Sequence, residues 1–198
     1  MDEMIARFEI KDIHKSGAVL DPIKLDWMNG EYIKRLELGE LHTRIARYLE
    51  EYQIEFYRDV FSGRDYNYNT RIIAELQTRM KRFEEFISLT SCLYGDSSIR
   101  RDLLANPKMK IETEADGLEA LRFALPLLES ADYSSLDSLK SGILGAIATA
   151  GKKNGQILWP LRVALSGEEF SPGAFELAYI LGRDESIRRI EKNISSKS

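Results

Sequence analysis

Residues 157–183 read ILWPLRVALSGEEFSPGAFELAYILGR, and the rest of the chain is placed by reference to them. Leu158, Leu161 and Leu165 fall on one stripe at helical spacing, which predicts a short helix that buries one side. Pro160 is expected to open that helix with Leu161 and Arg162, because its ring disfavours a helical backbone at Trp159. Ser166–Gly167 is a stop signal. Ser171 then reads as an N-cap with Pro172 at the first helical position. Phe175, Leu177, Ala178 and Leu181 make the next apolar face, and Gly182 ends it. The predicted unit is helix, loop, helix, with Arg162 and Ala174 near the two helix starts.

Helical spacing continues in both directions. Upstream, Asp21 can cap the first free N–H groups of a helix with Pro22 in its first turn. Leu25, Met28, Tyr32 and Leu36 follow on one face, through an Asn29–Gly30 pair that would otherwise signal a turn. Gly30 is therefore expected to mark close packing inside a helix, with Trp27 and Tyr32 as core residues. Leu41, Ile45, Tyr48, Leu49 and Tyr52 predict another helix, and Phe56, Val60 and Phe61 a short one. Gly63–Asn69 is expected to be a loop carrying Tyr66 and Tyr68. Ile72, Ile73, Leu76, Met80, Phe83 and Ile87 share a face in one long segment. The GDSS at 95–98 marks an internal boundary near residue 100.

The second half repeats the pattern. Leu118, Leu121, Leu125 and Leu128 predict a helix that Pro126 bends late, and Leu136, Leu139, Ile143 and Ile147 predict the next. Gly151–Gly155 is a basic turn with Lys152 and Lys153. Glu185–Ile194 is a charged amphipathic helix fraying into Ser195–Ser198. At the N-terminus, Met4, Ile5, Phe8, Ile10 and Ile13 form a short amphipathic segment before a Ser16–Gly17 break. Sustained strand alternation, internal repeats and low-complexity blocks are missing, so the fold class is all-α, two consecutive helical bundles.

Composition narrows the function. The 198 residues suffice for a sizeable core, and 43% hydrophobic with 30% charged residues is ordinary for a globular protein. The single cysteine, Cys92, allows no intrachain disulfide and fits a reduced cytoplasmic compartment as a buried small hydrophobe. One cysteine with His14 and His42 makes a zinc site an unfavourable reading, so no metal is expected. Neither a spanning apolar run nor a signal-peptide pattern occurs, so no membrane partner is expected. A net charge of −4 argues against a general nucleic-acid binder, though not against a local basic cleft.

Pro160–Leu161–Arg162, Ala164, Gly167, Ser171–Pro172–Gly173 and Leu181–Gly182 resemble the C-terminal anticodon-binding region of bacterial-type glutamyl-tRNA synthetases. A second match, KLDWMNGEYI at 24–33, lies far upstream in the right order, and two separated matches are more specific than one. The resemblance covers essentially the whole chain, with 36–70 and 95–135 matching only as helical pattern. It implies bundles of the α-helical cage type. Residues 1–37 would end the stem-contact domain, 38–100 form the first anticodon-binding bundle and 101–198 the second.

The family activates glutamate in a domain with a histidine–isoleucine–glycine–histidine type motif and a lysine–methionine–serine–lysine–serine type loop. Here His14 in DIHKSG and His42 in ELHTRI stand alone, and NPKMK at 106–110 only weakly echoes the second motif. The resemblance thus implies a chain that starts beyond the second signature. It would hold no catalytic residue and no activity of its own, with ATP and Mg2+ serving only the absent catalytic domain. Its partners would be the anticodon loop and stem of tRNA(Glu) and the catalytic domain of the same enzyme, the protein being a monomer.

The family reads anticodon bases with two arginines. One is in the proline–leucine–arginine motif, here Arg162. The other has a leucine–x–x–arginine–x–lysine context in a helix of the first bundle, here Leu76–Lys81 with Arg79; Arg82 is the register alternative. The third contact, mainly backbone, falls at Ala174. A guanidinium both stacks on and donates to a splayed base, which suits this task. From spacing alone, covering the edge of the core is the favoured reading of Arg79 and Arg162, and the motif is what turns it towards recognition. Lys152 and Lys153 fit either stem phosphates or a solvated turn, and Trp159 fits either core packing or base stacking. A different class, a helical protein-interaction module that keeps the fold without RNA binding, is the alternative, motivated by the net acidity.

Overall fold

Asp21 starts the first long helix as its side chain predicts: Oδ1 accepts from the N–H of Ile23 at 3.0 Å and of Lys24 at 3.3 Å. The structure, a computed structural model, describes residues 2–9, 21–97 and 100–195. Ile10, Ile13, His14, the Ser16–Gly17 break and 196–198 lie outside the described residues. Before the gap, α1 spans Asp2–Arg7. After it come α2 (Pro22–Arg35), α3 (Leu38–Tyr52) and α4 (Ile54–Phe56), which runs into a wide turn at Tyr57–Phe61. Then come α5 (Tyr66–Leu76) and α6 (Glu85–Tyr94). The second half holds α7 (Glu114–Ser130), α8 (Leu136–Thr149), α9 (Asn154–Ser166), α10 (Ala174–Leu181) and α11 (Arg183–Ser195). Among the described residues the only β pairing is one bridge, Asn106 with Ile111.

Helix α2 runs unbroken through Asn29–Gly30. Gly30 is buried, and a Cβ there would sit 3.6 Å from Lys81 Cγ and 3.7 Å from the Met80 carbonyl oxygen, so this is where α2 touches the turn after α5. Its inward face is Gly30 and Ile33. Trp27 is 64% and Tyr32 66% exposed, so they are not core residues. The apolar stripe of α2 is wider than the surface this chain offers it. Ile23, Leu25 and Met28 on the same helix are exposed as well.

Two other expectations are corrected. Residues 66–69 are helical, because the Asp65 carboxylate caps α5 by accepting from Asn67 N at 2.8 Å and Tyr68 N at 3.1 Å. The segment from Ile72 to Ile87 is two helices, not one. The Gln77 side-chain amide donates to the carbonyls of Ile33 (3.1 Å) and Leu36 (2.8 Å), and the Glu85 carboxylate accepts from the N–H of Lys81 (2.8 Å) and Arg82 (3.3 Å). These bonds hold a turn at residues 77–84. Met80 in the turn stays buried, but beyond it Phe86 takes the core position while the expected Phe83 and Ile87 are half-buried, so the buried face shifts after the break.

In the second half α7 starts with a Thr113–Asp116 capping box and continues through Pro126 to Ser130. Gly117 permits the close approach of the preceding segment, since a Cβ there would meet Leu104 Cβ at 2.7 Å. Helices α7, α9 and α11 pack on one another, α10 closes over α9, and one apolar core runs on into α3, α5 and α6.

Candidate nucleic-acid interface

Helix α9 starts at Asn154, not at Pro160, and Trp159 is helical. A proline inside a helix costs about 3 kcal/mol. Ile157, Pro160, Leu161, Val163, Ala164 and Leu165 are all buried in this helix. At roughly 1.5–3 kcal/mol per large apolar side chain, their burial outweighs the lost bond. Gly167, at φ 72°, ends α9 as the sequence predicts.

That continuous helix places Trp159 one turn before Arg162. The Trp159 indole N–H donates to the Leu103 carbonyl at 2.8 Å, which fixes the ring. The Arg162 guanidinium lies over it, 4.6 Å from a ring centroid. Arg162 Nη2 donates to the Glu169 carbonyl at 2.7 Å and Nη1 to Ser171 Oγ at 3.2 Å. Burial pushes the pKa of Arg162 down while Glu169 pushes it back up, and an arginine stays a cation under such a shift. The side chain is half-buried, pre-oriented on an aromatic face, and has N–H groups left to donate.

Helix α10 begins at Ala174 with Gly173 as its N-cap, so Ser171 is not the cap. The Ser171 hydroxyl turns to Arg162 instead. No side chain caps α10 from Gly173, and the Ala174 methyl is buried; what Ala174 contributes to a ligand is a backbone N–H at a helix start. Arg79 is exposed in the turn after α5, its N–H on the Leu76 carbonyl at 2.9 Å; the expected helical setting is corrected to a turn. Its charge lowers the pKa of Glu75, against burial and the neighbouring Glu176, which raise it. Arg79 therefore borders the seam between α5 and the start of α10. Ser91 of α6 donates to Glu168 at 3.0 Å and ties the 167–173 loop to the same side.

Arg162, Trp159 and Ala174 thus meet at the 167–173 loop, with Arg79 across the seam. Arg82 lies apart, paired with Asp26 at 3.4 Å and Glu84 at 2.7 Å on the α2 side. Lys152 and Lys153 stand at the opposite end of α9, Lys152 with its ammonium 5.2 Å from the Phe123 ring centroid. Sequence reasoning missed the Leu103 carbonyl under Trp159 and the Glu169 carbonyl on Arg162. Backbone acceptors carry no residue-type signal. Among the described residues, no group of His, Cys, Asp and Glu is arranged to hold a metal, and no helix is long and apolar enough to cross a membrane.

Residues 40–194 match the family model described as an anticodon binding domain, and the chain belongs to that family. Over 98% of its length it is 38% identical to the glutamate–tRNA ligase of Clostridium acetobutylicum, and over 98% it is 38% identical to that of Clostridium novyi. It covers 38% and 39% of those two proteins, so it spans about two fifths of the length of the curated relatives it matches. Its fold is shared with a glutamate tRNA ligase from Elizabethkingia meningosepticum crystallised in complex with its amino acid. That superposition has a TM-score of 0.74 at 22% identity, covering 98% of this chain and 36% of the other.

Proposed function

We propose that this chain is the tRNA-reading part of a glutamate–tRNA ligase, and that Arg162, Arg79 and the backbone at Ala174 contact the anticodon bases of tRNA(Glu). The supporting observation is Arg162, stacked on Trp159 and aimed by Glu169 and Ser171, inside the region that matches an anticodon-binding family. A planar cation held in this way stacks under a splayed base and donates to its edge. The same match favours RNA over a helical protein-interaction module. ATP, Mg2+ and the ligation chemistry belong to the remainder of such an enzyme, which would cover the exposed apolar stripe of α2.

The test is binding of this chain to tRNA(Glu) and to the same tRNA with one altered anticodon base, at two salt concentrations. Salt-sensitive binding that drops with the altered base is the expected result. Binding indifferent to the anticodon would remove the assignment. Arg79 is proposed to favour the glutamate over the glutamine anticodon. An unchanged ratio of tRNA(Glu) to tRNA(Gln) affinity in Arg79→Gln would sink that part alone.

A further inference from the structure

A second basic feature lies along α9 from Arg162. Residues 106–111 form a tight turn closed by the Asn106–Ile111 bridge, with backbone bonds of 2.8 and 3.1 Å. Lys108 and Lys110 of this turn are both exposed. Lys110 has φ 62°, and among the described residues no other non-glycine residue has a positive φ. That backbone costs a lysine about 1–2 kcal/mol. The turn is packed directly on α9: Met109 Sδ lies 2.8 Å from where a Gly155 Cβ would be, and the Gln156 amide donates to the Lys110 carbonyl at 3.4 Å.

The same Gln156 side chain accepts from the Lys153 N–H at 3.2 Å, which brings Lys153 beside Lys110, and repulsion between the two like charges lowers the pKa of Lys153. Lys152 and Lys110 line one cleft of about 170 Å³. Asp116 and Glu119 also line it, but the Asp116 carboxylate is occupied in capping α7, accepting from the N–H of Glu112 and Thr113. Among the described residues no ion pair involves Lys108, Lys110, Lys152 or Lys153, whereas Arg44, Arg82, Arg100 and Arg188 are paired with carboxylates. Asp116 and Glu119 offset only part of the charge of Lys110, Lys152 and Lys153, in a chain of net charge −4, and an anion bound there would offset the rest.

The segment that bears this turn also touches the reading face. Leu103 accepts from Trp159, and Lys110 accepts from Gln156, so residues 103–110 run along the side of α9 that carries Trp159 and Arg162. Gln156 and Arg162 are six residues apart, about 9 Å along the helix axis. We propose that Lys110, Lys152 and Lys153 form a phosphate-contact site for the backbone of the RNA whose bases Arg162 reads. The site rests on the RNA reading above, and it adds affinity without base preference, because phosphates are the same at every nucleotide.

The experiment compares this chain with the double variant Lys110→Asn, Lys153→Asn. Asparagine tolerates the left-handed backbone at 110 and is a favoured N-cap at 153, so both changes suit the fold. The probes are tRNA(Glu), the tRNA with an altered anticodon base, and a poly-glutamate peptide, each titrated at several salt concentrations. Binding to both RNAs is expected to weaken roughly tenfold, with the salt slope shallower by about 1–2 and the ratio between the two RNAs unchanged. Unchanged affinity and slope in the variant, with wild-type discrimination intact, would overturn the phosphate site and leave the anticodon reading standing. Weakened binding in the variant, with no discrimination in either protein, would support the phosphate site and remove the anticodon reading. Poly-glutamate binding as tight as RNA, lost in the variant, would overturn the site in favour of an acidic protein partner, and no binding of either RNA would overturn both assignments.

Discussion

Arg189 Nη1 donates to the carbonyl of Cys92 at 2.6 Å, and this bond joins the last helix to the first half of the chain. The same guanidinium donates to Leu165 (2.6 Å) at the end of α9 and to Gly95 (2.8 Å) beyond α6, and its Nε pairs with Glu185 at 2.7 Å. At 2% exposure it is among the most buried side chains. Three carbonyls at helix ends, which no helix can satisfy internally, depend on it. Arg189→Met should lower stability by about 3–5 kcal/mol, and Arg189→Lys should recover only part, since an ammonium cannot span three acceptors. Urea unfolding followed by circular dichroism decides it; a loss under about 1 kcal/mol for the methionine variant would show that water replaces the guanidinium readily.

Arg162→Ala should weaken tRNA(Glu) binding by roughly 10- to 100-fold, in line with about 1–3 kcal/mol for a well-formed base contact. Arg162→Lys should fail to restore it, because the stack on Trp159 needs the planar guanidinium. Stability should change little, the group being only half-buried. Equal affinities for wild-type and alanine proteins would assign Arg162 to holding the 169–171 loop.

Trp27→Lys with Tyr32→Lys should leave the unfolding free energy within about 0.5 kcal/mol, since both side chains are mostly exposed. The pair should also reduce any self-association at high concentration, measured by sedimentation, because an apolar face is removed. A loss of several kcal/mol would mean that α2 buries these rings within this chain.

Cys92 is the one cysteine, and burial, helped by Glu168, pushes its thiol up to about 11. A thiol reagent at pH 8 should therefore modify the folded protein slowly and the urea-unfolded protein at once. Rapid labelling of the folded chain, read as a mass shift, would show that the α6 region opens locally.

His42 packs 4.5 Å from Tyr66 and 5.5 Å from Phe61 between ring centroids, and its buried Nε2 has no hydrogen-bond partner. Burial lowers its pKa below 6.5. The unfolded chain then takes up a proton before the folded one does, so this contribution is full above pH 6.5 and is lost as pH falls through the folded value. Because the ring is partly exposed, the effect should stay below about 1 kcal/mol. Thermal midpoints at pH 7 and pH 5 should converge in His42→Phe relative to wild type; an identical pH dependence in both would assign the slope to other groups.

The places where sequence and structure part have one cause in common. Met80 belongs to the same apolar period as Leu76 and Phe83, yet it sits in a turn, because Gln77 and Glu85 supply bonds that period counting does not see. Pro160 looked like a helix start, yet its helix begins at Asn154, because burial around Leu161 and Val163 exceeds the cost of one missing N–H. Ser171 had the type and place of an N-cap, but Arg162 engages its hydroxyl and Gly173 takes the cap. Trp27 and Tyr32 matched a core pattern on a helix that finds too little surface to cover them.

Local chemistry is what the sequence by itself determined: an all-helical chain, most helix ends through residues such as Asp21 and Gly167, and the motif that singles out Arg162. Each of these depends on neighbours a few residues away, whose preferences are short-range. Tertiary structure alone decided that Arg162 lies on Trp159 and is steered by Glu169, and that Arg79 stands in a turn at the α5–α10 seam. It also decided that Lys110 meets Lys153, and that Arg189 joins the ends of α6 and α9. Those outcomes rest on backbone carbonyls and close packing between segments distant in sequence. A carbonyl is present at every residue, so only the folded chain can specify which one is used.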